Sequence, residues 1–225
     1  CALTKPCSQL NTYPKTYSKA SCSWNFEQKK RLFNLLPAKR MKLITPSQWL
    51  AGLVGDSFLK DYPVEVRNNT VSTDVFKPTP SDFRERYGIG DRFMILGVAS
   101  PWTERKGLAD FIRLAGELDS KKFVIVLVGL SEKQIEGLPK CIVALSRTES
   151  REELAGLYSI ADVFFNPTAE DNFPTVNLEA EACGTPVLTY DVGGSGETIR
   201  LPESTSVQNY LMAKKNILEA AQWTS

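Results

Sequence analysis

Charged residues stand at the start of two helices that the sequence predicts. Arg105 and Lys106 precede a helix that begins near Gly107, and Glu170 and Asp171 precede a second one. Cations at a helix N-terminus face the positive end of the helix dipole, which is unfavourable unless an anion binds there. The pattern therefore indicates an anion site beside Lys106. The alternative is a solvated loop that binds nothing.

Glu179 lies about five residues into the second helix, roughly 7 Å from its start at 1.5 Å per residue. A phosphate bound at the helix start would put a neighbouring ribose within reach of this carboxylate. Acids near a helix N-terminus are also favourable without any ligand, so Glu170 and Asp171 have a purely structural interpretation as well. Pro174 fits the first turn of this helix, and either Asn172 or Phe173 is predicted to cap it.

Short apolar runs alternate with amphipathic segments from residue 41 onward. The runs "FMILGVA" and "FVIVLVG" are continuously apolar, as expected for strands buried on both faces of a parallel sheet. The alternation predicts an α/β fold with a doubly wound, Rossmann-like parallel sheet. The predicted strands are Lys42–Ile44, Val64–Arg67, Phe93–Val98, Phe123–Val128, Ile142–Leu145, Val163–Phe165 and Val187–Tyr190. The predicted helices are Ser47–Leu59, Ser81–Tyr87, Leu108–Leu118, Ser131–Glu136, Arg151–Ser159, Thr175–Cys183 and Val207–Trp223.

Ligands of such a sheet bind beyond the carboxyl ends of its strands. The loops after Val98 and Phe165, which contain the charged residues above, are therefore the candidate site. Trp102, in the first of these loops, is predicted to cover part of a ligand. The glycines after Tyr190 follow a third strand and indicate a flexible turn near the same edge.

Composition excludes several classes of function. The 225 residues have a formal net charge of +1, which gives no electrostatic reason to expect nucleic acid or an anionic membrane. The sequence has no histidine, no Walker motif and no G-x-G-x-x-G after a first strand, which argues against histidine-based catalysis, P-loop ATPases and dinucleotide oxidoreductases. The five cysteines include no Cys-x-x-Cys pair, so free thiols and no metal are predicted. No apolar run approaches the ~20 residues that cross a bilayer. A cytoplasmic location is predicted, with the inner face of a membrane left open.

The stretch "EDNFPTVNLEAEACGTPVLTYDVGGSGETI" resembles the donor-site signature of the group 1 (family 4 type) retaining glycosyltransferases, which have the two-domain GT-B fold. The stretches "KLITPSQWL", "DVFKP", "GVASPWTERKGLADFI" and "SREELAGLYSIADVFFNPT" also match, in the family's order, from about residue 41 to 200. The most similar subgroup makes bacterial capsular or other surface polysaccharides.

The resemblance implies that a Rossmann-like domain holds a nucleotide diphosphate sugar. The sugar would be transferred with retention to a hydroxyl of a saccharide or lipid-linked saccharide acceptor. Lys106 matches the lysine that holds the donor diphosphate, and Glu179 matches the glutamate on the ribose hydroxyls. No cofactor is implied, since Lys, Arg and the helix dipole stabilise the leaving diphosphate. The predicted site comprises Lys106, Asp171 and Glu170 for catalysis and Arg105, Asn172, Phe173, Pro174, Thr175, Glu179 and Arg147 for donor binding.

The resemblance also predicts three regions. Residues 1–60 would be the tail of an N-terminal acceptor domain with its linker, and residues 61–200 the donor domain. Residues 201–225 would be a truncated or divergent tail with a helix but no further strand. Because the cleft of this fold forms between two domains, we expect the piece to bind a donor but to be inactive alone. Exposed apolar surface is expected around Trp49, Leu50 and Leu53.

Two departures from the family pattern favour a second hypothesis, a non-catalytic nucleotide-sugar-binding module or a truncated enzyme fragment. Pro101 stands where family members usually have an arginine, and Thr70 replaces a glycine of a tight turn. Arg105 is the residue that could substitute for the arginine. A nucleotide-sugar epimerase of related fold is a third hypothesis, although the "EDNFPTVNLE" signature points away from it.

Overall fold

A small parallel sheet organises the first part of the chain. The computed structural model describes residues 21–223, and the chain divides into two units after Arg67. The first unit contains α1 (Ser21–Phe33), a 3₁₀ turn (Ala38–Arg40), β1 (Leu43–Thr45), α2 (Gln48–Gly55) and β2 (Val64–Val66). Strands β1 and β2 pair in parallel. The predicted assignment of Val64–Arg67 to the large domain is therefore wrong, because this strand pairs with β1.

The second unit contains a six-stranded sheet in which every pairing is parallel. Its strands are β3 (Phe93–Val98), β4 (Phe123–Val128), β5 (Ile142–Leu145), β6 (Val163–Asn166), β7 (Val187–Tyr190) and β8 (Thr205–Val207). Their order in the sheet is β5-β4-β3-β6-β7-β8. The predicted doubly wound, Rossmann-like sheet is confirmed.

Helices cover both faces of this sheet. They are α3 (Phe83–Arg86), α4 (Leu108–Glu117), α5 (Glu132–Glu136), α6 (Arg151–Ile160), α7 (Thr175–Ala182) and α8 (Tyr210–Trp223). Successive residues of β3 belong to different cores: Ile95 packs in a cluster with α4 and α8, whereas Met94 and Leu96 pack in a cluster with α6 and α7. Burial on both faces is the reason that this strand is continuously apolar.

The tail after Arg200 completes the sheet, contrary to prediction. Strand β8 pairs with β7, placing Leu188 opposite Thr205 and Tyr190 opposite Val207. Ser204 anchors the segment, since its Oγ accepts a hydrogen bond of 2.9 Å from the Val187 N–H. The prediction of a helix without a strand is wrong, because a short edge strand needs no continuous apolar run.

Apolar surface is exposed in the first unit. Leu53 is 46% exposed, as predicted for this region, whereas Trp49 and Leu50 are half-buried. Ile44, which the sequence did not single out, is 56% exposed. None of the helices within residues 21–223 has the length and apolarity that a membrane span requires.

Candidate functional site

The site lies where the strand order reverses. From β3 the chain moves outward to β4 and β5, and it then returns to β6 on the other side of β3. In an open parallel sheet, the loops that leave two such strands diverge and open a crevice beyond their carboxyl ends. The loop after β3 leads to Lys106, and the loop after β6 leads to Asp171.

These two loops are in direct contact. The Ala169 N–H donates to the Arg105 carbonyl at 2.8 Å. Gly107 has a φ of +75°, and a Cβ at this position would lie 2.3 Å from the Pro167 carbonyl oxygen. Only glycine fits there, since a side chain would force the two loops apart.

A cation and a carboxylate meet at this junction. Lys106 Nζ lies 2.8 Å from Asp171 Oδ2, with side chains that are 22% and 19% exposed. The two residues are 65 positions apart in sequence, so the fold is what brings them together. The predicted convergence of the Lys106 loop with the Asp171 segment is thus observed.

The loop after β7 closes on the same point. The Gly194 N–H donates to the Asp171 carbonyl at 3.0 Å. Gly193 has a φ of +59°, and a Cβ added to it would lie 2.0 Å from the Asp171 carbonyl oxygen. Three loops, from three strands, therefore hold Asp171.

Arg105 and Glu170 form the outer part of the site. Arg105 Nη1 donates to the Glu170 carbonyl at 2.5 Å, so part of the guanidinium is bound to the protein backbone. Both residues are exposed. Thr168, which is buried, also donates its hydroxyl to the Glu170 carbonyl at 3.1 Å, which fixes the turn that exposes the Glu170 side chain.

The predicted cap of α7 is wrong. Pro174 occupies the N-cap position with φ −67° and ψ 113°, and no side chain caps the helix. Asn172 is exposed, whereas Phe173 is 3% exposed, with its N–H donating to Asp171 Oδ1 at 3.3 Å. Asp171 therefore bonds the turn before the helix, and the first N–H groups of α7, beginning at the exposed Thr175, have no side-chain acceptor.

Glu179 lies on α7 and is mostly buried. Its Oε2 accepts a hydrogen bond of 3.1 Å from the Tyr158 hydroxyl. Burial raises the pKa of Glu179, while the Tyr158 hydrogen bond and the charge of Arg151 act in the opposite direction. No hydrogen bond or ion pair within residues 21–223 joins Glu179 to Lys106. Lys106 contacts Asp171, and the chain from Asp171 into α7 leads to Glu179.

Comparison with known proteins identifies the family. The family model described as "Glycosyl transferases group 1" matches residues 81–222, which is more than half of the chain. The chain belongs to this family.

Two curated proteins are similar in sequence to somewhat more than half of this chain. It is 30% identical over 138 residues to the alpha-galactosylglucosyldiacylglycerol synthase of Streptococcus pneumoniae, a match that covers 55% of this chain and 37% of that protein. It is 33% identical over 149 residues to the GDP-mannose-dependent alpha-(1-6)-phosphatidylinositol monomannoside mannosyltransferase of Mycolicibacterium smegmatis, covering 57% of this chain and 38% of that protein. The matched part of the chain thus spans well under half the length of either relative.

A solved structure shares the fold. The crystal structure of Anabaena HepE in complex with UDP-glucose superposes with a TM-score of 0.69 at 21% identity, covering 92% of this chain and 60% of that one. The group 1 chain therefore has the Rossmann-like fold of a GT-B glycosyltransferase domain.

A buried polar chain underlies the site, and the sequence reasoning missed it. Asn166 Nδ2 donates to Asn177 Oδ1 at 2.8 Å, and Asn177 Nδ2 donates to Thr198 Oγ1 at 2.9 Å. All three side chains are at most 6% exposed. They connect β6, α7 and the turn after β7, which are the elements that present the site loops. The only sequence signal is an asparagine on the apolar side of a helix next to a buried strand.

One further prediction is corrected by position, and the predicted donor contact of Arg147 stays a prediction. Trp102 is 5% exposed, and its Nε1 donates to the Val128 carbonyl at 2.8 Å, so it belongs to the core and does not cover a ligand. Arg147 is exposed in the loop after β5, and no contact in the described chain joins it to the other site residues. Arg151, at the start of α6, is the arginine that acts electrostatically on Glu179, and it lies 5.3 Å over the Phe76 ring.

The surface also has a depression of about 640 Å³ beside α3 and α6. Arg86 and Glu153, which line it, pair at 3.0 Å. Arg86 also forms an ion pair with Asp82 at 2.9 Å, so the guanidinium is bound by two carboxylates of the protein. Within residues 21–223 no group of three or more potential metal ligands is present.

Proposed function

We propose that the second unit binds a nucleotide diphosphate sugar and that the protein transfers the sugar to an acceptor hydroxyl. The single observation on which this depends is the Lys106–Asp171 contact at the reversal of the strand order. A crevice at such a point is the usual ligand site of an open parallel sheet. Family membership and the UDP-glucose bound to the similar Anabaena protein support the same ligand class.

The helix ends support binding of a diphosphate. Helices α2, α5 and α6 are each capped by a serine hydroxyl. Helices α4 and α7, which follow the two loops of the crevice, have no side-chain cap, and neither has the four-residue α3. Uncapped N–H groups and the positive end of the helix dipole stabilise an anion, and the Lys106 ammonium adds a full charge.

Each site residue then has a role in this proposal, in which Arg105 and Arg147 bind the donor. Lys106 leaves Asp171 for the diphosphate and stabilises the charge that develops on the leaving group. Asp171 and Glu170 contact the transferred sugar, together with the turn from Asn172 to Thr175. Glu179 accepts hydrogen bonds from the ribose hydroxyls. The reaction is proposed to be a hexosyl transfer with retention at the anomeric carbon, and it requires no metal or other cofactor.

The acceptor is proposed to be a saccharide or a lipid-linked saccharide, in synthesis of a bacterial surface polysaccharide or another glycoconjugate. The names of the two relatives above include diacylglycerol and phosphatidylinositol, which supports a lipid-linked acceptor. The first unit would be the tail of an acceptor domain. Strands β1 and β2 of this unit pair in parallel, and α2 packs against both, which is the arrangement of an α/β domain.

Location in the cytoplasm at the inner face of the membrane is also proposed. Five large apolar side chains in and after α1 are 47–69% exposed, and cations lie among them. The apolar residues are Trp24, Leu32, Phe33, Leu35 and Leu36, and the cations are Lys29, Lys30, Arg31, Lys39 and Arg40. Apolar side chains among cations favour a surface of anionic lipid. Sedimentation with phosphatidylglycerol vesicles, but not with phosphatidylcholine vesicles, would support this location, and equal sedimentation would contradict it.

The donor proposal is tested by ligand-induced stabilisation. The thermal midpoint of the chain is measured with UDP-, GDP- and ADP-sugars, because a ligand at 100 times its Kd stabilises the folded state by about 2.7 kcal/mol. We expect one nucleotide to raise the midpoint of the wild type and to have little effect on Lys106→Met. Lys121→Met, an exposed lysine at the opposite edge of the sheet, is the matched control and should respond as the wild type does. Stabilisation of Lys106→Met equal to that of the wild type would contradict the proposal.

A second candidate is a module that binds the donor without transferring it. The hydrogen bond from Arg105 to the Glu170 carbonyl favours this candidate. Pro101 stands where the family usually has an arginine, so Arg105 would have to bind the diphosphate in its place. Donor binding without product formation, in a protein that also contains an upstream acceptor domain, would support this candidate.

A further inference from the structure

Tyr158 is held rigidly next to Glu179. Its side chain is fully buried, and its ring packs edge-on against Phe76 at 6.1 Å and Phe164 at 5.3 Å between centroids. Its backbone carbonyl accepts a hydrogen bond from the buried Thr185 hydroxyl. The phenol hydroxyl therefore has a fixed position from which it donates to Glu179 Oε2.

The hydrogen bond leaves one carboxylate oxygen available. Within residues 21–223, Tyr158 is the hydrogen-bond partner of the Glu179 carboxylate, and it occupies Oε2. Oε1 has no hydrogen-bond partner in the described chain, yet it is not one of the buried atoms that lack a partner. Oε1 is therefore accessible at the surface. A glutamate side chain has three rotatable bonds, and fixing them costs conformational entropy before any ligand is bound.

We propose that Tyr158 is a positioning residue for nucleotide binding. It holds Glu179 in one orientation and in its ionised form, so that Oε1 accepts a hydrogen bond from the ribose of a nucleoside diphosphate. This inference rests on the proposed function, because it assigns Tyr158 to the same site. Because the Glu179 side chain is already ordered, less conformational entropy is lost on binding, and the nucleotide binds more tightly.

The charge state of Glu179 supports this role. The titratable groups that act on it are Tyr158 and Arg151, both from α6, and Glu179 in turn acts on Cys183, the C-cap residue of α7. Burial raises the pKa of Glu179, and donation by Tyr158 lowers it. Loss of the hydroxyl would therefore raise this pKa further. The carboxylate would take up a proton at a higher pH, and ribose binding would be lost at that higher pH.

The test compares each of three nucleotides with its dideoxy analogue on three proteins. Affinities of UDP, GDP and ADP, each beside its 2′,3′-dideoxy analogue, are measured on the wild type, Tyr158→Phe and Tyr210→Phe between pH 5 and 8. Tyr210→Phe is the matched control, since Tyr210 is also buried and donates its hydroxyl to a glutamate, Glu117, at 2.8 Å. Neither Tyr210 nor Glu117 belongs to the proposed site.

We expect Tyr158→Phe to bind the natural nucleotide about tenfold more weakly, equivalent to about 1.4 kcal/mol. The loss should grow as the pH falls, and the dideoxy analogue should bind both proteins equally. Tyr210→Phe should bind both nucleotides as the wild type does. Equal weakening of both nucleotides by Tyr158→Phe would reduce Tyr158 to a packing role and overturn the proposal, as would an unchanged affinity.

The two proposals fail in different ways. If the wild type binds none of the three nucleoside diphosphates, the donor site itself is wrong. If it binds a nucleotide and its dideoxy analogue equally, the donor site stands and the Tyr158 inference is overturned. Should Tyr158→Phe not fold, NMR of the wild type decides. The buried Tyr158 hydroxyl proton should persist, bonded to Glu179, in the nucleotide complex, and its loss on binding would overturn the proposal.

Discussion

Substitution of Gly193 by alanine tests whether the loop after β7 supports the site. Gly193 has a φ of +59°, and an alanine Cβ would lie 2.0 Å from the Asp171 carbonyl oxygen. Real Cβ atoms essentially never come within 3.0 Å of a non-bonded atom, so the two loops must separate by about 1 Å. The Gly194 N–H bond to the same carbonyl would be strained or lost.

The expected magnitude follows from these contacts. A left-handed conformation costs an alanine about 1–2 kcal/mol, and a lost backbone hydrogen bond costs about 1 kcal/mol more. The free energy of unfolding should therefore fall by about 2–3 kcal/mol. Asp171 would move relative to Lys106, and weakening of one charge-assisted contact should reduce nucleotide affinity about tenfold.

Gly90→Ala is the matched control. Gly90 has nearly the same φ, +59°, but a Cβ at this position would meet nothing within 4 Å. It should show the conformational cost alone, without loss of nucleotide affinity. Chemical denaturation and nucleotide titration of both variants measure the difference. Equal destabilisation with unchanged affinity in both would refute the argument that the loop after β7 positions Asp171.

Three further predictions follow from the site and its surroundings. Lys106→Met should lose most of its stabilisation by nucleotide in thermal melts, whereas Lys121→Met should keep it; equal responses would contradict the site. Glu179→Gln should raise the free energy of unfolding at pH 7, because the raised pKa means that the folded state disfavours the ionised form. That gain should vanish below pH 4.5, where the wild-type carboxyl is protonated in both states, and a destabilised Glu179→Gln at pH 7 would contradict the reasoning. Burial raises the pKa of Cys183 to about 11, so iodoacetamide at pH 8 should label the exposed Cys141 much faster, as mass spectrometry of the peptides would measure; comparable labelling would contradict it.

Much of the sheet could be predicted because buried strands have a distinct sequence pattern. Strands β3, β4, β5 and β7 begin and end at the predicted residues, since each is an apolar run between polar or turn residues. Strand β8 could not be predicted in this way. It is three residues long, lies at the edge of the sheet and has the polar Ser206 in its middle. Strand β2 was predicted, but its partner was wrong, because a local pattern does not specify which sheet a strand joins.

The site could be predicted in part because topology constrains it. Loops after neighbouring parallel strands meet at one edge, so Lys106 and Asp171 were expected together. The N-cap of α7 was not predictable, since Asp171 bonds the turn two residues later in place of capping the helix. The pairing of Tyr158 with Glu179 depends on the packing of α6 against α7, which side-chain type and spacing do not reveal.

A crystal structure of the chain grown with the nucleoside diphosphate that stabilises it would show whether Lys106 and Glu179 hold this ligand. We expect the diphosphate to lie within hydrogen-bonding distance of Lys106 Nζ, with the ribose hydroxyls on Glu179 and the Lys106–Asp171 contact opened. A nucleotide bound away from the crevice between β3 and β6, with the Lys106–Asp171 contact of 2.8 Å intact, would contradict it.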